Sequence, residues 1–467
     1  MMRSERLRSR FWGLVLATAL AGSVAAQPRI VRLNVTAFDG HGQPAADLTR
    51  ADFQIQDAGK DQPLVFFDAI RPAPGTVSHC TLILFDLLNA DITNRTFAAD
   101  EIVKSLQARE SSDFLYFYLL TPDLKIQTVH GLPAGAADIR PAGKPWTKNI
   151  RLEMSEALKN ANQLRQGGLT DDERVRRTFA ALNTIISSLA LLPGPKNVVW
   201  ISRGVPISLR VASGGDALDY KPMLRELAKV CTREKVTVFT VNPSTSAVPS
   251  TGELASVETL QTIAKLTGGR LYTANSTGKA VAQATDGWRG EYSLGYLPSD
   301  ESWDGQFHKL KVSTGRKGIE LLAPEGYYAD RPDPTEAMRV ALQNAVSSPF
   351  DSPEIGLRAT AAKGNVNGLQ DLEIRVNYED ALVLPKDGKY ATDLVLAIVD
   401  YGALGPKSIS PPDVMHVSMN EQQNAAAKKD GILLTREHAV GGGIERMRLI
   451  VYDPATHLWG AAMVAVK

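Results

Sequence analysis

CTLILFD, residues 80–86, is a nearly unbroken apolar run that ends on an aspartate. A strand with one face in water alternates polar and apolar residues. A strand buried on both faces of a parallel sheet does not, and this run has the second texture. The downstream sequence keeps that reading. A helix-like stretch covers 96–108, and strands follow at DFLYFYLL (113–120) and LKIQTV (124–129). A long helical segment spans 172–192, then KNVVWIS (196–202), a helix around 222–233, KVTVFTVN (235–242) and a helix at 254–266. Apolar strands alternating with helices predict a doubly wound α/β sheet over 78–285.

The segment at 172–192 shows how such a sheet is covered. Val175, Phe179, Leu182, Ile186 and Leu189 recur at three- and four-residue spacing, and Arg174, Arg176 and Arg177 fall largely off that stripe. Asp171, Asp172 and Glu173 open it, where carboxylates meet the positive end of the helix dipole. Pro193-Gly194-Pro195 stops it and hands the chain to the next strand.

On either side the pattern changes to short strands. Residues 28–72 alternate with period two, as in RIVRLNVTAFD, and a hairpin turns at Ala58, Gly59 and Lys60. Residues 290–328 (EYSLGYLP, QFHKLKVST, IELLAPEGYYA) have the same texture, so the two segments are expected to pair into one β domain around the α/β insertion. DRPDPTEA (330–337) has linker composition, and a linker is assigned to 330–345. The remainder, 346–467, predicts a β-sandwich.

Composition narrows the class. The chain has 467 residues with 52 Lys+Arg against 51 Asp+Glu, 44% hydrophobic residues and two cysteines. That excludes a disordered or fibrous chain and offers no basic face for nucleic acid. Residues 1–26 carry Arg3, Arg6, Arg8 and Arg10 before an apolar run from Phe11 to Ala26, with Val24 and Ala26 as the small residues before a cleavage site. They read as a secretory signal peptide, because the run falls short of the roughly 20 residues needed to span a bilayer. Its removal takes the formal charge from +1 to −2. The mature chain is then periplasmic or secreted, with no membrane anchor and no nucleic-acid partner. An oxidising compartment allows a disulfide between Cys80 and Cys231, both assigned to the edge of the sheet away from the site.

In open α/β sheets ligands bind beyond the carboxyl ends of the strands, which directs attention to FDLLNADIT (85–93). Here the chain resembles the von Willebrand factor A-type domains, and more closely the related exported proteins of acidobacteria. Supporting stretches are DLTRADFQIQDAGKDQPLVFF, LPGPKNVVWISRGVP, YSLGYLP and GIELLAPEGYYA. A-type domains hold a divalent ion through D-x-S-x-S, a threonine and a further aspartate. The resemblance places Asp86 at the first aspartate, and Leu88 and Ala90, which lack ligand atoms, at the serines. Thr170 or Thr178 stands for the threonine, and Ser202 or Arg203 for the last aspartate. What is implied is a degenerate adhesion site. Its candidate metal residues are Asp86, Asn89 and Thr170, and the expectation is either no cofactor or a residual Mg²⁺. One further expectation is that the Arg203 guanidinium replaces the lost cation beside Asp86.

Other motifs are weaker. STGKA (276–280) lacks the first glycine and the final hydroxyl of a phosphate loop, and the seven histidines show no zinc spacing. The reading that results is a non-enzymatic protein-binding or adhesion-type module. Its loop-end surface is drawn from Asp86, Asn89, Asp91, Thr170, Ser202, Arg203 and Asn242. The alternatives are an envelope hydrolase with a cleft between the α/β and β domains, and a structural scaffold. No nucleophile or acid/base constellation can be assembled for the first.

Overall fold

The computed structural model describes residues 29–69, 79–90, 92–107, 114–133, 149–163, 169–209, 217–244, 251–298, 303–330, 333–348, 350–352 and 354–467. Residues 1–26, expected to be a signal peptide, and Asp91 lie outside them. The chain forms two compact bodies, one of residues 29–332 and 347–354, the other of 333–346 and 355–467. Among the described residues no helix is long and apolar enough to cross a membrane.

The first body opens with β1 (Val31–Phe38), β2 (Phe53–Asp57), β3 (Lys60–Gln62) and β4 (Leu64–Ala69). The β2–β3 hairpin turns through Ala58 and Gly59, both at positive φ. Next come β5 (Cys80–Asp86), α1 (Ile92–Gln107), β6 (Leu115–Leu120), β7 (Ile126–His130), α2 (Ile150–Gln163), α3 (Asp171–Ser188) and β8 (Lys196–Ile201). A two-stranded ribbon, β9 (Ser208–Leu209) with β10 (Leu218–Asp219), precedes α4 (Lys221–Glu234), β11 (Val236–Asn242), α5 (Thr251–Thr267), β12 (Leu271–Thr273) and α6 (Thr277–Asp286). The body returns to β structure with β13 (Glu291–Tyr296), β14 (Phe307–Thr314), β15 (Glu320–Leu322) and β16 (Gly326–Tyr328).

Six strands form the α/β sheet in the order β12-β11-β8-β5-β6-β7. Every pair is parallel except β6–β7, so LKIQTV supplies an antiparallel edge. Period two along β5 explains why CTLILFD is apolar throughout. Leu82 and Leu84 enter one core with Val175, Phe179, Leu224 and Leu260 of α3, α4 and α5. Ile83 and Phe85 enter the opposite core with Ile102, Met154 and Val281 of α1, α2 and α6. Each face is covered by helices, and β5 sits between them with every residue buried.

The flanking strands are hydrogen-bonded to one another in two antiparallel sheets. One has the order β15-β1-β13-β4, with Val31 opposite Tyr296 and Thr36 opposite Glu291; the other is β16-β14-β2-β3. Val35, Ile55, Tyr292, Leu294 and Leu310 fill the space between them.

In the second body, α7 (Pro334–Ser347) is followed by β17 (Leu357–Lys363), β18 (Leu369–Val376), β19 (Leu384–Lys386), β20 (Lys389–Gly402), β21 (Gly405–Ile409), β22 (Asp413–Met419), α8 (Glu421–Asp430), β23 (Ile432–Ala439), β24 (Arg446–Asp453) and β25 (Leu458–Ala465). They form a three-stranded and a six-stranded antiparallel sheet. Val395, Ala397 and Val399 of β20 pack with Met338, Leu342 and Ala345 of α7.

Three expectations are corrected. Most of the 330–345 linker is the start of α7: Pro334 suits a first helical position, the Asp333 carboxylate accepts the Thr335 N–H at 2.9 Å, and an apolar stripe is buried. The C-terminal body does not begin cleanly at 346, because 347–354 belongs to the first body. Finally, Cys80 and Cys231 are free thiols, each fully buried in the core that contains α3 and α4. Burial pushes both up to about 12, so they stay protonated and unreactive.

Candidate functional site

The carboxyl end of β5 carries Asp86, with β6 on one side and β8 on the other. Its carboxylate is fully buried and accepts four hydrogen bonds. Asn89 donates its backbone N–H to Oδ1 at 3.0 Å and its side-chain Nδ2 to Oδ2 at 2.7 Å. Oδ2 also receives Ser202 Oγ at 2.7 Å and Trp200 Nε1 at 3.3 Å. Burial pushes the Asp86 carboxyl above its ordinary range, and these donors oppose it.

A second tier orients the donors. Asn89 Nδ2 also donates to Thr178 Oγ1 at 2.9 Å, and that hydroxyl donates to the Arg174 carbonyl at 2.8 Å. Arg174 reaches back with Nη1 to Asn89 Oδ1 at 3.2 Å and holds Asp171 with Nη2 at 2.7 Å. Ser202 Oγ accepts the Gly204 N–H at 2.9 Å. Gly204 has φ +78° and lies so near α5 that a Cβ would meet the Ser256 carbonyl at 2.4 Å, which requires glycine. From below, buried Arg95 donates to the Leu87 carbonyl at 2.6 Å and to Asn162 Oδ1 at 2.8 Å. The result is a floor, Leu87 to Ala90, almost closed to solvent.

The sequence candidates separate here. Asp86, Asn89 and Ser202 meet, and the threonine that joins them is Thr178. Thr170 does not: it is the exposed N-cap of α3, closing a capping box with Glu173. Asn242 uses its side chain to hold the Ser244 N–H at 3.0 Å. Arg203 is half-buried, and it supplies none of the hydrogen bonds that Asp86 accepts from the described residues. The expected guanidinium substitute is replaced by neutral donors. Trp200, Arg174 and Arg95 were not read as site residues, because an apolar run hides an indole N–H and a helix pattern hides which arginine turns inward.

The donor set does not fit a hard cation. A Mg²⁺ site presents oxygen lone pairs, whereas here three N–H groups and a hydroxyl point at the carboxylate and the serine positions of the motif are Leu88 and Ala90. Ser202 is likewise committed, donating to Asp86 and accepting from Gly204.

Another polar cluster lies in the β sheets. Buried Asp57 accepts Tyr296 Oη at 2.8 Å and Tyr327 Oη at 3.1 Å, with His308 Nδ1 at 3.3 Å and His308 Nε2 at 3.2 Å from Asp304. Its members come from β2, β13, β14 and β16, a juxtaposition no single segment announces.

No family model and no curated protein matches the chain. Solved structures similar to it include the PilB minor pilin from Streptococcus sanguinis, at 10% identity over 47% of this chain and 63% of that one, with a TM-score of 0.30. The pilus adhesin SpaC from Lactobacillus rhamnosus GG is similar at 10% identity over 89% of this chain and 57% of that one, with a TM-score of 0.28. The chain thus spans less than two thirds of each.

Proposed function

We propose that this chain is an exported, non-enzymatic protein-binding module of von Willebrand A-like design. Its partner, another protein, docks on the loops at the carboxyl end of the six-stranded sheet. The observation that supports the reading most is the saturation of Asp86. A carboxylate buried under Asn89, Ser202 and Trp200 is a structural keystone rather than a ligand, base or nucleophile. Recognition then falls to Arg174, which is 31% exposed and paired with Asp171, and to Arg203 and Asn242 at the carboxyl ends of β8 and β11. No cofactor is needed in this scheme, and the apolar stretch at 11–26 supplies export.

The test immobilises residues 27–467 and captures partners from cell-envelope extract with and without chelator. One protein should be retained equally in both, and Arg174→Glu should release it. Capture that requires Mg²⁺, or that survives the charge reversal, would overturn the proposal.

A further inference from the structure

In the β sheets of the first body one histidine has a carboxylate at each ring nitrogen. His308 lies near the start of β14, opposite Tyr327 of β16. Its Nδ1 is 3.3 Å from Oδ1 of Asp57, the last residue of β2, and its Nε2 is 3.2 Å from Oδ1 of Asp304, in the turn that leads into β14. The imidazole is 14% exposed and Asp57 is buried, whereas Asp304 is 47% exposed.

Both carboxylates already act as acceptors. Asp57 Oδ2 takes the hydroxyl protons of Tyr296 from β13 and Tyr327 from β16. Burial pushes both phenols above their ordinary range and the Asp57 charge adds to it, so they stay donors. Asp304 Oδ1 takes the Gln306 N–H at 2.8 Å. That bond, then the bond and charge of His308, hold the Asp304 carboxyl below its ordinary range against burial. Of the nearby cations, Lys60 stands opposite Asp57 on β3 with its side chain exposed, and Arg225 of α4 is engaged by the Gly305 carbonyl and Asp330 at 2.9 Å each. Two acceptors flanking one ring require two donors. A neutral imidazole carries a single N–H and turns a bare lone pair to one of the carboxylates, whereas the imidazolium donates to both.

The bridge holds one half of a short turn. Residues 305 and 306 are tied by main chain just past β16: the Gly305 N–H donates to the Ala329 carbonyl, and the Ala329 N–H to the Gln306 carbonyl, at 2.9 Å each. Trp303 and Asp304 are held through their side chains, the indole edge-on to Tyr327 with ring centroids 6.5 Å apart and the carboxylate on His308. We propose that His308 is a proton-operated latch, which as imidazolium ties the turn bearing Trp303 to Asp57 of the sheet and on losing a proton lets Trp303 leave Tyr327. Imidazole exchanges that proton with water near neutrality. Buried Asp57 has more to lose from a missing donor than Asp304, which water reaches, so Nδ1 keeps its proton and Nε2 gives one up. Asp304 then faces a lone pair, and the contact that held it becomes a repulsion. The device is separate from the Asp86 end and does not depend on how that end works.

Fluorine NMR of the full chain labelled with 5-fluorotryptophan tests this, with the Trp303 resonance identified by its loss in Trp303→Phe. Across about pH 5 to 9 that resonance should move along a single titration curve while far-ultraviolet circular dichroism stays constant. His308→Gln should abolish the movement. Asp304→Asn keeps an acceptor for the Gln306 N–H but removes the charge at Nε2, so the midpoint should fall to lower pH. A Trp303 resonance that does not move overturns the latch. So does movement that persists in His308→Gln, or a midpoint that Asp304→Asn leaves in place. Because Asp304 is the exposed partner, its variant decides the question if the chain does not fold without the imidazole.

Discussion

At the carboxyl end of the six-stranded sheet Asp86 is buried under neutral donors, whereas at the amino end Glu354 is buried in an ion pair with Lys235, and Glu291 is buried within the charge of Lys196. The first arrangement balances a single charge with oriented dipoles and closes itself off. The second pairs Lys235 with Glu354, a carboxylate drawn from 119 residues away, and Lys196 and Arg32 add their charge. The neutral-donor shell holds one titratable group, the Asp86 carboxyl, which burial pushes up and its donors pull down. A charged shell changes its balance whenever one member gains or loses a proton.

The largest effect should come from removing the keystone. Asp86→Ala leaves the Asn89 amide, the Ser202 hydroxyl and the Trp200 N–H without their acceptor in a dry interior, at a cost of about 4 kcal/mol. Urea denaturation should show the midpoint falling with little change in slope. A loss below about 1 kcal/mol would mean the shell re-pairs internally, and the contrast between the two ends would weaken.

Next in size is the pH response of the amino end. Burial pushes Glu291 up to about 8, against the Asn34 hydrogen bond and the charge of Lys196. Its folded value lies above the unfolded one near 4.5, so between those limits the folded chain keeps a proton that the unfolded chain sheds. Stability therefore falls as pH rises from about 5 to 8, by on the order of 3 kcal/mol from this group. Glu291→Gln should flatten that slope. An unchanged slope in stability measured across this range would assign the titration elsewhere.

Thr170 offers a smaller and more local test. Because it caps α3 instead of joining the Asp86 cluster, Thr170→Ala should cost about 1 kcal/mol, and its effect should add to that of Asp86→Ala. Marked non-additivity in a double-mutant cycle would tie the cap to the keystone.

What the sequence made readable follows from local rules. CTLILFD announces a strand buried on both faces because each face meets helices, and the stripe from Val175 to Ile186 announces the helix that covers one of them. Asp86 was legible as the end of that strand. The choice between Thr170 and Thr178 was not, since one caps α3 and the other lies two turns into it, and only packing shows which one meets Asn89. Trp200 and Lys196 looked like parts of an apolar strand, and Glu354 lay in a proline-flanked stretch with no periodic signal. Their partners are 114, 38 and 119 residues away, beyond any spacing rule. The helix in the supposed linker escaped because two prolines and two aspartates in DRPDP outweighed the short stripe of Met338, Leu342 and Ala345.

The smallest effect separates the surface of the carboxyl end from its floor. Arg174 touches Asn89 Oδ1 at 3.2 Å and an exposed Asp171, while the Asn89 amide is also held through Nδ2 by Thr178 and Asp86, so the guanidinium is one brace among several. Exposed ion pairs contribute little, so Arg174→Gln should cost about 0.5 kcal/mol. Urea unfolding at low salt monitored by Trp fluorescence leaves the ion pair unscreened and registers it. A loss above about 2 kcal/mol would mean that the carboxyl end leans on a cation after all, as the amino end does. A small loss leaves Arg174 available to a partner without disturbing the shell beneath it.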